Sequence, residues 1–177
     1  MRSYAEYDSL VGRLTIVSDT DAVCGLWFEN GRHQDASLLE SAERNAKDPV
    51  LAHLRDWLDA YFEKKRPAVD ELPLAPTGSE FQKVVWQLLR DIPYGETVSY
   101  GELSEQVAAV RGASSPRCVG QAVGRNPIGI VVPCHRIVGA NGSLTGFGGG
   151  IGVKVKLLEH EGVDMNRFFI PTNGTAL

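Results

Sequence analysis

The sequence has few cysteines, no long apolar run and no large excess of either charge. Its three cysteines among 177 residues, Cys24, Cys118 and Cys134, form an odd and sparse set that makes a poor disulfide framework. No apolar stretch approaches the roughly 20 residues of a membrane span, and the N-terminus lacks the apolar block of a signal peptide. These absences predict a cytoplasmic protein that does not enter a membrane.

Charge is distributed unevenly along the chain. The net charge of -4 argues against a generic basic nucleic-acid binder. Residues 1–77 hold 9 basic and 14 acidic residues, whereas residues 78–177 hold 9 basic and 8 acidic ones. No acidic residue lies between Glu105 and Glu159, a stretch with six basic residues. Such a stretch suits a surface that approaches phosphates, although chance in a region rich in Gly and Ser explains it equally well.

The N-terminal part has the pattern of a small β-rich unit followed by a helix. Short β-prone runs at residues 14–17 and 23–28 predict two strands. Asp48 and Pro49 are typical of a helix N-cap and first helical position, and apolar residues follow at helical spacing as far as Phe62. Residues 72–78, rich in Pro and Gly, predict a linker.

The C-terminal part is mainly helical in its pattern. Ser79 begins a helix that ends near Ile92, and residues 99–102 fit a capping box for a second helix, from Gly101 to about residue 110. Ser115 and Pro116 begin a third short helix. Two short helices joined by a glycine-containing turn predict a helix-turn-helix, although many helical pairs share this pattern.

These elements predict an α+β fold. A small N-terminal domain of antiparallel sheet plus helix covers residues 1–77, including the linker. A mainly helical domain over residues 78–170 carries the helix-turn-helix and a reactive cysteine, and its last helix covers residues 153–161. A mobile tail follows at residues 171–177.

The sharpest chemical feature is Pro133-Cys134-His135-Arg136, which follows an apolar run at residues 128–132. We expect the run to be a buried strand that delivers Cys134 to a loop entrance. The thiolate is the reactive form of cysteine, so its free pKa of about 8.5 must fall. Neighbouring side chains of an extended chain point apart, which favours a water bridge between Cys134 and His135. For an arbitrary Cys-His pair, a structural cysteine beside a surface histidine is the commoner arrangement.

The motif resembles the active-site signature of the O6-alkylguanine-DNA alkyltransferases. Residues 130–137 match that signature, and further segments match the family in order at residues 81–86, 93–100, 117–122, 126–127 and 156–162. The resemblance covers the chain from Ser79 to about Gly162, whereas the N-terminal domain resembles the family only loosely. Several spaced motifs around one nucleophile make this signal specific.

The resemblance implies repair of double-stranded DNA that contains O6-alkylguanine, or O4-alkylthymine, by a single transfer of the alkyl group to Cys134. His135 deprotonates Cys134 through a water, Glu161 fixes the tautomer of His135, and Asn126 braces the turn that presents the cysteine. Tyr100 donates a proton toward the guanine. No cofactor is implied. We expect a monomer in solution, with cooperative binding on DNA left open.

The resemblance also implies that the third helix enters the minor groove and that Arg117 replaces a flipped-out nucleotide. The residues expected to face DNA are Ser99, Tyr100, Ser115, Arg117, Gly120, Gln121, Gly124 and Arg125. The residues expected to line the substrate pocket are Val132, Pro133, Phe147, Gly148 and Gly149. Small residues on the helix allow close approach to a groove about 6 Å wide.

The sequence departs from the family pattern in several places. The turn near residues 110–115 is a few residues longer, which puts its DNA contacts in question. Cys118 stands where alanine is common, and we expect it to be a small packing residue. Phe147 and Gly148 replace a frequent tyrosine and a frequent serine or alanine, so we predict an altered tolerance for bulky alkyl groups. Some relatives hold zinc, but Cys24 and the N-terminal histidines do not make a four-ligand set, so we predict no metal.

Other classes of function stay open. A cysteine hydrolase that uses Cys134 and His135 would need an oxyanion hole and would turn over many times. A module that recognises alkylated guanine without repairing it is disfavoured, because relatives of that kind lack the acceptor cysteine. A transcription factor is disfavoured by the small residues of the third helix.

Overall fold

The structure is a computed structural model that describes residues 1–171, and it begins with a four-stranded sheet. The strands are β1 (Arg2–Ser9), β2 (Gly12–Asp19), β3 (Ala22–Phe28) and β4 (Ala42–Arg44), in the order β3-β2-β1-β4. β2 pairs antiparallel with β1 and β3, whereas β4 pairs parallel with β1. The predicted antiparallel sheet is confirmed, but β1 and β4 were not predicted, because neither contains an apolar run.

Two helices follow β3, a short α1 (Ala36–Glu40) and the longer α2 (Pro49–Phe62). As predicted, Asp48 caps α2: its carboxylate accepts hydrogen bonds from the amides of Val50 and Leu51 at 2.9 and 3.1 Å. The apolar face of α2 packs on the sheet. A 3-10 turn (Val69–Glu71) leads into the predicted linker.

The predicted linker lies against β3 rather than standing free. The Val23 amide donates to the Pro73 carbonyl, and the Ala75 amide donates to the Val23 carbonyl, both at 2.8 Å. One apolar core includes side chains from both sides of this segment, among them Leu54 and Ile130. A domain boundary near residue 77 therefore stays a prediction, since the core continues across it.

The C-terminal part contains the predicted helix-turn-helix. Three helices follow the linker, α3 (Glu80–Leu89), α4 (Tyr100–Arg111) and α5 (Pro116–Gly124). The helix-turn-helix consists of α4 and α5. Capping boxes begin α3 and α4, and the Ser115 hydroxyl accepts from the Cys118 amide at the start of α5. Gly112 ends α4 at a φ of 85°, in the left-handed region that glycine tolerates. A hydrogen bond of 3.2 Å between the Ser104 and Ser114 hydroxyls fastens the turn to α4.

The predicted strand at residues 128–132 is wrong, although its burial is confirmed. The run folds into successive turns, with hydrogen bonds from the Val131 amide to the Gly129 carbonyl and from the Val132 amide to the Ile128 carbonyl. Ile130 takes a φ of 66°, which lies outside the β region of a regular strand. The side chains are apolar because they enter the core from a tight turn, not because they belong to a sheet.

The chain after the cysteine completes the fold. A 3-10 turn (Cys134–Arg136) leads into β6 (Ile137–Val138), which pairs parallel with β5 (Val98–Ser99). α6 (Ile151–His160) follows, Gly162 takes the predicted position after its end at a φ of 81°, and the 3-10 turn Met165–Arg167 comes last. Beyond Pro171, the predicted mobile tail lies outside the described residues. No helix within residues 1–171 is long and apolar enough to cross a membrane.

Candidate active site

Cys134 begins a 3-10 turn at the end of a loop that Asn126 braces. The Asn126 amide donates to the Val132 carbonyl at 2.8 Å, and its oxygen accepts from the Ile128 amide at 3.0 Å. The turn leaves Cys134 only 7% exposed. Burial raises the pKa of the Cys134 thiol, whereas a hydrogen bond from Asn126 and the charge of Lys154 act in the opposite direction.

Glu161 is the centre of a buried polar network. Its carboxylate accepts hydrogen bonds from Nε of Arg136 at 2.7 Å and from the hydroxyl of Tyr61 at 2.6 Å. The Gly95 amide donates to it at 3.1 Å, and Nε2 of His135 lies 2.5 Å from Oε2. Burial alone would raise the pKa of Glu161, but His135 and Arg136 outweigh that effect and hold it well below its usual range.

His135 is completely buried and is oriented by this carboxylate. Burial lowers the pKa of His135 despite the neighbouring Glu161, so the ring is neutral near pH 7. An ionised Glu161 accepts the Nε2 proton, which leaves a lone pair on Nδ1. Nδ1 is buried and has no hydrogen-bond partner within the described chain. The arrangement supplies a neutral histidine with a free basic nitrogen.

Lys154 is a buried cation that the sequence analysis missed. Its ammonium group donates to the carbonyls of Ile137 and Thr145, the second at 3.1 Å. Burial lowers the pKa of Lys154 to about 8, while Cys134 acts in the opposite direction. The sequence did contain a signal for the burial of Lys154. Leu157 and Leu158 lie three and four positions after it, so all three residues share the helix face that packs into the core.

Tyr100 shares an acceptor with Lys154. Its hydroxyl donates to the Thr145 carbonyl at 3.1 Å, and burial followed by the proximity of Cys134 raises the pKa of Tyr100 to about 12. The phenol is therefore protonated at neutral pH. Gly146 is required beside it, because a Cβ there would lie 2.6 Å from the hydroxyl.

A groove of about 1100 Å³ runs along α5 beside this site. Predicted DNA-facing residues that line it are Tyr100, Arg117, Gly120, Gln121, Gly124 and Arg125. Arg32 and His33 from the N-terminal part also line it, and no lining residue is acidic. Ser99 and Ser115 do not line the groove, and their hydroxyls instead cap α4 and α5. Cys118 is exposed on the groove, so its predicted packing role is wrong.

A cavity of about 30 Å³ lies next to Cys134, behind the loop that carries Phe147, Gly148 and Gly149. Phe28 from β3 packs edge-on against Phe147 with ring centroids 5.5 Å apart. A Cβ at Gly149 would lie 2.7 Å from the Phe28 ring. These three predicted pocket residues line the cavity, whereas Val132 and Pro133 are buried and line neither it nor the groove, because the turn directs them into the core.

No metal centre is apparent in residues 1–171, where no three His, Cys, Asp or Glu side chains are grouped to hold an ion. Cys24 lies in a separate apolar cluster with Val17, Trp27 and Leu38. Chemically, the site combines a thiol, a neutral histidine held by a carboxylate, a buried ammonium group and a protonated phenol. Such a set suits nucleophilic attack with release of a basic leaving group.

Comparison with known proteins agrees with this chemistry. Residues 80–163 match the family described as 6-O-methylguanine DNA methyltransferase, DNA binding domain, and residues 3–76 match its ribonuclease-like domain. The methylated-DNA–protein-cysteine methyltransferase of Mycobacterium leprae is 57% identical over 87% of this chain and 88% of its own length.

Solved structures agree as well. The crystal structure of Mycobacterium tuberculosis O6-methylguanine methyltransferase is 38% identical, with a TM-score of 0.78 over 98% of this chain and 97% of that one. A Mycobacterium tuberculosis OGT structure in complex with DNA is 39% identical, with a TM-score of 0.75 and 94% of each chain covered.

Proposed function

Because this chain belongs to the 6-O-methylguanine DNA methyltransferase family, we propose that it repairs DNA by moving the alkyl group of O6-alkylguanine onto Sγ of Cys134. One observation carries the proposal. Cys134 directly precedes His135, which pairs with Glu161, and the cavity beside Cys134 shares Phe147 and Gly148 with a groove that no acidic residue lines. Double-stranded DNA is the partner, in agreement with the DNA complex of the relative.

The transfer begins with loss of the thiol proton. Nδ1 of His135 takes the proton through a bridging water, while Glu161 keeps the Nε2 proton in place. Lys154 and Asn126 favour the thiolate, since both lower the pKa of Cys134 against the effect of burial. The thiolate attacks the alkyl carbon, the S–C bond forms, and the bond between that carbon and O6 breaks with its electron pair on guanine.

The guanine anion is then neutralised by a proton. Tyr100, whose phenol is protonated at neutral pH, donates its proton as the base develops negative charge, and the phenolate is reprotonated from solvent after the repaired base leaves. Lys154 holds the Thr145 carbonyl that positions the phenol before transfer. The thioether product no longer contains a thiol that could attack a second alkyl group, so each protein molecule reacts once. O4-alkylthymine is a second substrate of the same chemistry.

DNA binds in the groove of the protein, with the minor groove of the DNA facing α5. The target nucleotide leaves the base stack at a cost of a few kcal/mol, and Arg117 offsets part of that cost by filling the gap. Gly120 and Gly124 let α5 approach closely, and phosphate contacts rather than base contacts supply the affinity. Since the cavity at Cys134 is about 30 Å³, the loop of Phe147 moves when the base enters.

Label transfer tests this proposal and its main competitor. Duplex DNA with one tritium-labelled O6-methylguanine should transfer its label to wild type and to Cys118→Ser, but not to Cys134→Ser. Label that appears as a small soluble product over several turnovers would instead favour the hydrolase. Binding to the duplex without any transfer would favour a module for damage recognition.

A further inference from the structure

A second cavity, of about 200 Å³, lies behind the Glu161–Arg136 pair. It is lined by Arg66, Arg90 and Arg136 together with the aromatic side chains of Trp57, Tyr61 and Tyr94. It shares no lining residue with the groove. Its volume is below the roughly 300–1,000 Å³ of sites for drug-sized ligands, so it fits a small ion rather than a nucleotide.

Not all N–H donors of these guanidinium groups are used in hydrogen bonds within the described chain. Arg136 uses three of its five N–H donors on Glu161 and on the Ile92 carbonyl. Nε of Arg90 is buried without a hydrogen-bond partner, although its other nitrogens contact Gln87 and Asp70. Buried donors of this kind are costly unless something accepts from them.

Arg66 is an exposed residue that lines the edge of the cavity and has an unusual backbone conformation. Its guanidinium lies 4.8 Å from the centroid of the Tyr94 ring and forms no ion pair with a carboxylate of residues 1–171. Arg66 and Lys64 both have positive φ, at 52° and 62°. Residues other than glycine are uncommon in that region, and such conformations persist where surrounding structure enforces them.

The charge around the cavity is incompletely balanced. Asp70 pairs with Arg90 at 3.2 Å, through a carboxylate that is 94% exposed, and Glu161 pairs with Arg136. No third carboxylate within the described chain pairs with these arginines. Three guanidinium groups therefore face two carboxylates, one of which is largely in solvent.

We propose that this cavity binds one phosphate-like oxyanion, held by Arg66, Arg90 and the unused donors of Arg136. Planar guanidinium groups match the oxygens of phosphate and form charge-assisted hydrogen bonds with them. The anion accepts from Nε of Arg90 and balances the third positive charge. The site is distinct from the groove, so it is available to free phosphate whether or not the groove is occupied.

Isothermal titration with inorganic phosphate tests the proposal, with sodium chloride at matched ionic strength as the reference. The variants are Arg66→Gln and Arg90→Gln, and the matched control is Lys65→Gln, an exposed neighbour whose ammonium group pairs with Glu63 away from the cavity. Retained transfer of an alkyl group to Cys134 shows that each variant is folded.

We expect one phosphate per protein, a dissociation constant raised about 10-fold by each arginine variant, and no more than about a 2-fold change in Lys65→Gln. Heat indistinguishable from that of chloride would overturn the site. So would arginine variants that bind phosphate as wild type does. Tighter binding of deoxyguanosine monophosphate than of phosphate would overturn the assignment of a small ion.

Discussion

Glu161 accepts hydrogen bonds from four other residues inside the protein, whereas Arg117 on the groove is exposed and pairs with no carboxylate within residues 1–171. The buried network around Glu161, formed with Tyr61, Gly95, His135 and Arg136, joins the N-terminal and C-terminal parts of the chain, since Tyr61 and Glu161 are 100 positions apart. The groove instead is lined along α5 by small residues and by the cations Arg117 and Arg125.

On the proposed function, the buried network serves the chemical step and the groove serves DNA binding. Side chains of the buried network have fixed partners, so a change there should disturb both stability and the chemical step. On the proposed function, exposed groove side chains such as Arg117 contact DNA, so a change there should weaken DNA binding and leave transfer from a small alkylguanine intact.

The largest effect is expected for Glu161→Gln. The change leaves the Arg136 charge buried without its partner and removes the group that orients His135. The free energy of unfolding in urea should fall by about 3–5 kcal/mol. Transfer from free O6-benzylguanine should slow at least ~100-fold. Glu159→Gln, exposed in the last turn of α6, should behave as wild type, and an equal loss in both variants would contradict the role of the network.

Lys154→Met should change both the rate and the pH dependence of stability. The pKa of Lys154 is about 8 in the folded protein against an ordinary 10.5, so the unfolded chain binds more protons between those pH values. This group therefore makes the free energy of unfolding rise with pH across that window, by about 3 kcal/mol, and the variant should lack the rise.

The rate of Lys154→Met should fall roughly 10-fold at neutral pH, with its pH profile moved upward, because the thiolate loses a nearby cation. Lys156→Met, exposed on α6, is the matched control. Unfolding curves of Lys154→Met that keep the wild-type dependence between pH 8 and 10.5 would show that the lysine is not desolvated as described.

The size of the transferred alkyl group tests the small cavity beside Cys134, between the buried network and the groove. The cavity beside Cys134 is about 30 Å³ and is closed by Phe28 and Phe147, so a benzyl group overfills it more than a methyl group does. Benzylated protein should lose about 1–3 kcal/mol relative to the methylated form. Thermal midpoints of the two alkylated proteins give the comparison, and equal midpoints would mean that the Phe147 loop yields without strain.

The smallest effect is expected for Arg117→Ala. Affinity for duplex DNA should fall about 10-fold, and the slope of affinity with salt should shrink by about one if the arginine contacts a phosphate. Transfer from free O6-benzylguanine should stay at the wild-type rate. Arg44→Ala is the control, because Arg44 is exposed on β4, pairs with Glu6 and does not line the groove. A slower reaction with the free base would place Arg117 in the chemistry and break the separation.

Local sequence signals predicted most helices, because they act over a few residues. Asp48, Ser79, Ser99 and Ser115 each cap the helix that they were expected to begin. Cys134, His135 and Glu161 were found through spaced motifs, and the structure brings His135 and Glu161 together. The tolerance for bulky alkyl groups stays a prediction.

Signals that depend on distant partners were missed or misread. The turn at residues 128–132 was predicted as a strand because an apolar run shows burial but not backbone direction. Tyr61 matched an apolar helix face, and nothing local indicated its hydrogen bond to Glu161. The contact of Phe28 with the Phe147 loop likewise joins two parts of the chain that sequence spacing cannot relate.

The most direct test of transfer to Cys134 is an intact mass and peptide map after mixing the protein with one equivalent of duplex DNA carrying a single O6-methylguanine. We expect one added methyl group on Cys134, none on the exposed Cys118, guanine restored in the DNA, and no reaction with a second equivalent. An unchanged protein mass, or repaired DNA in excess of protein, would contradict stoichiometric transfer to this cysteine.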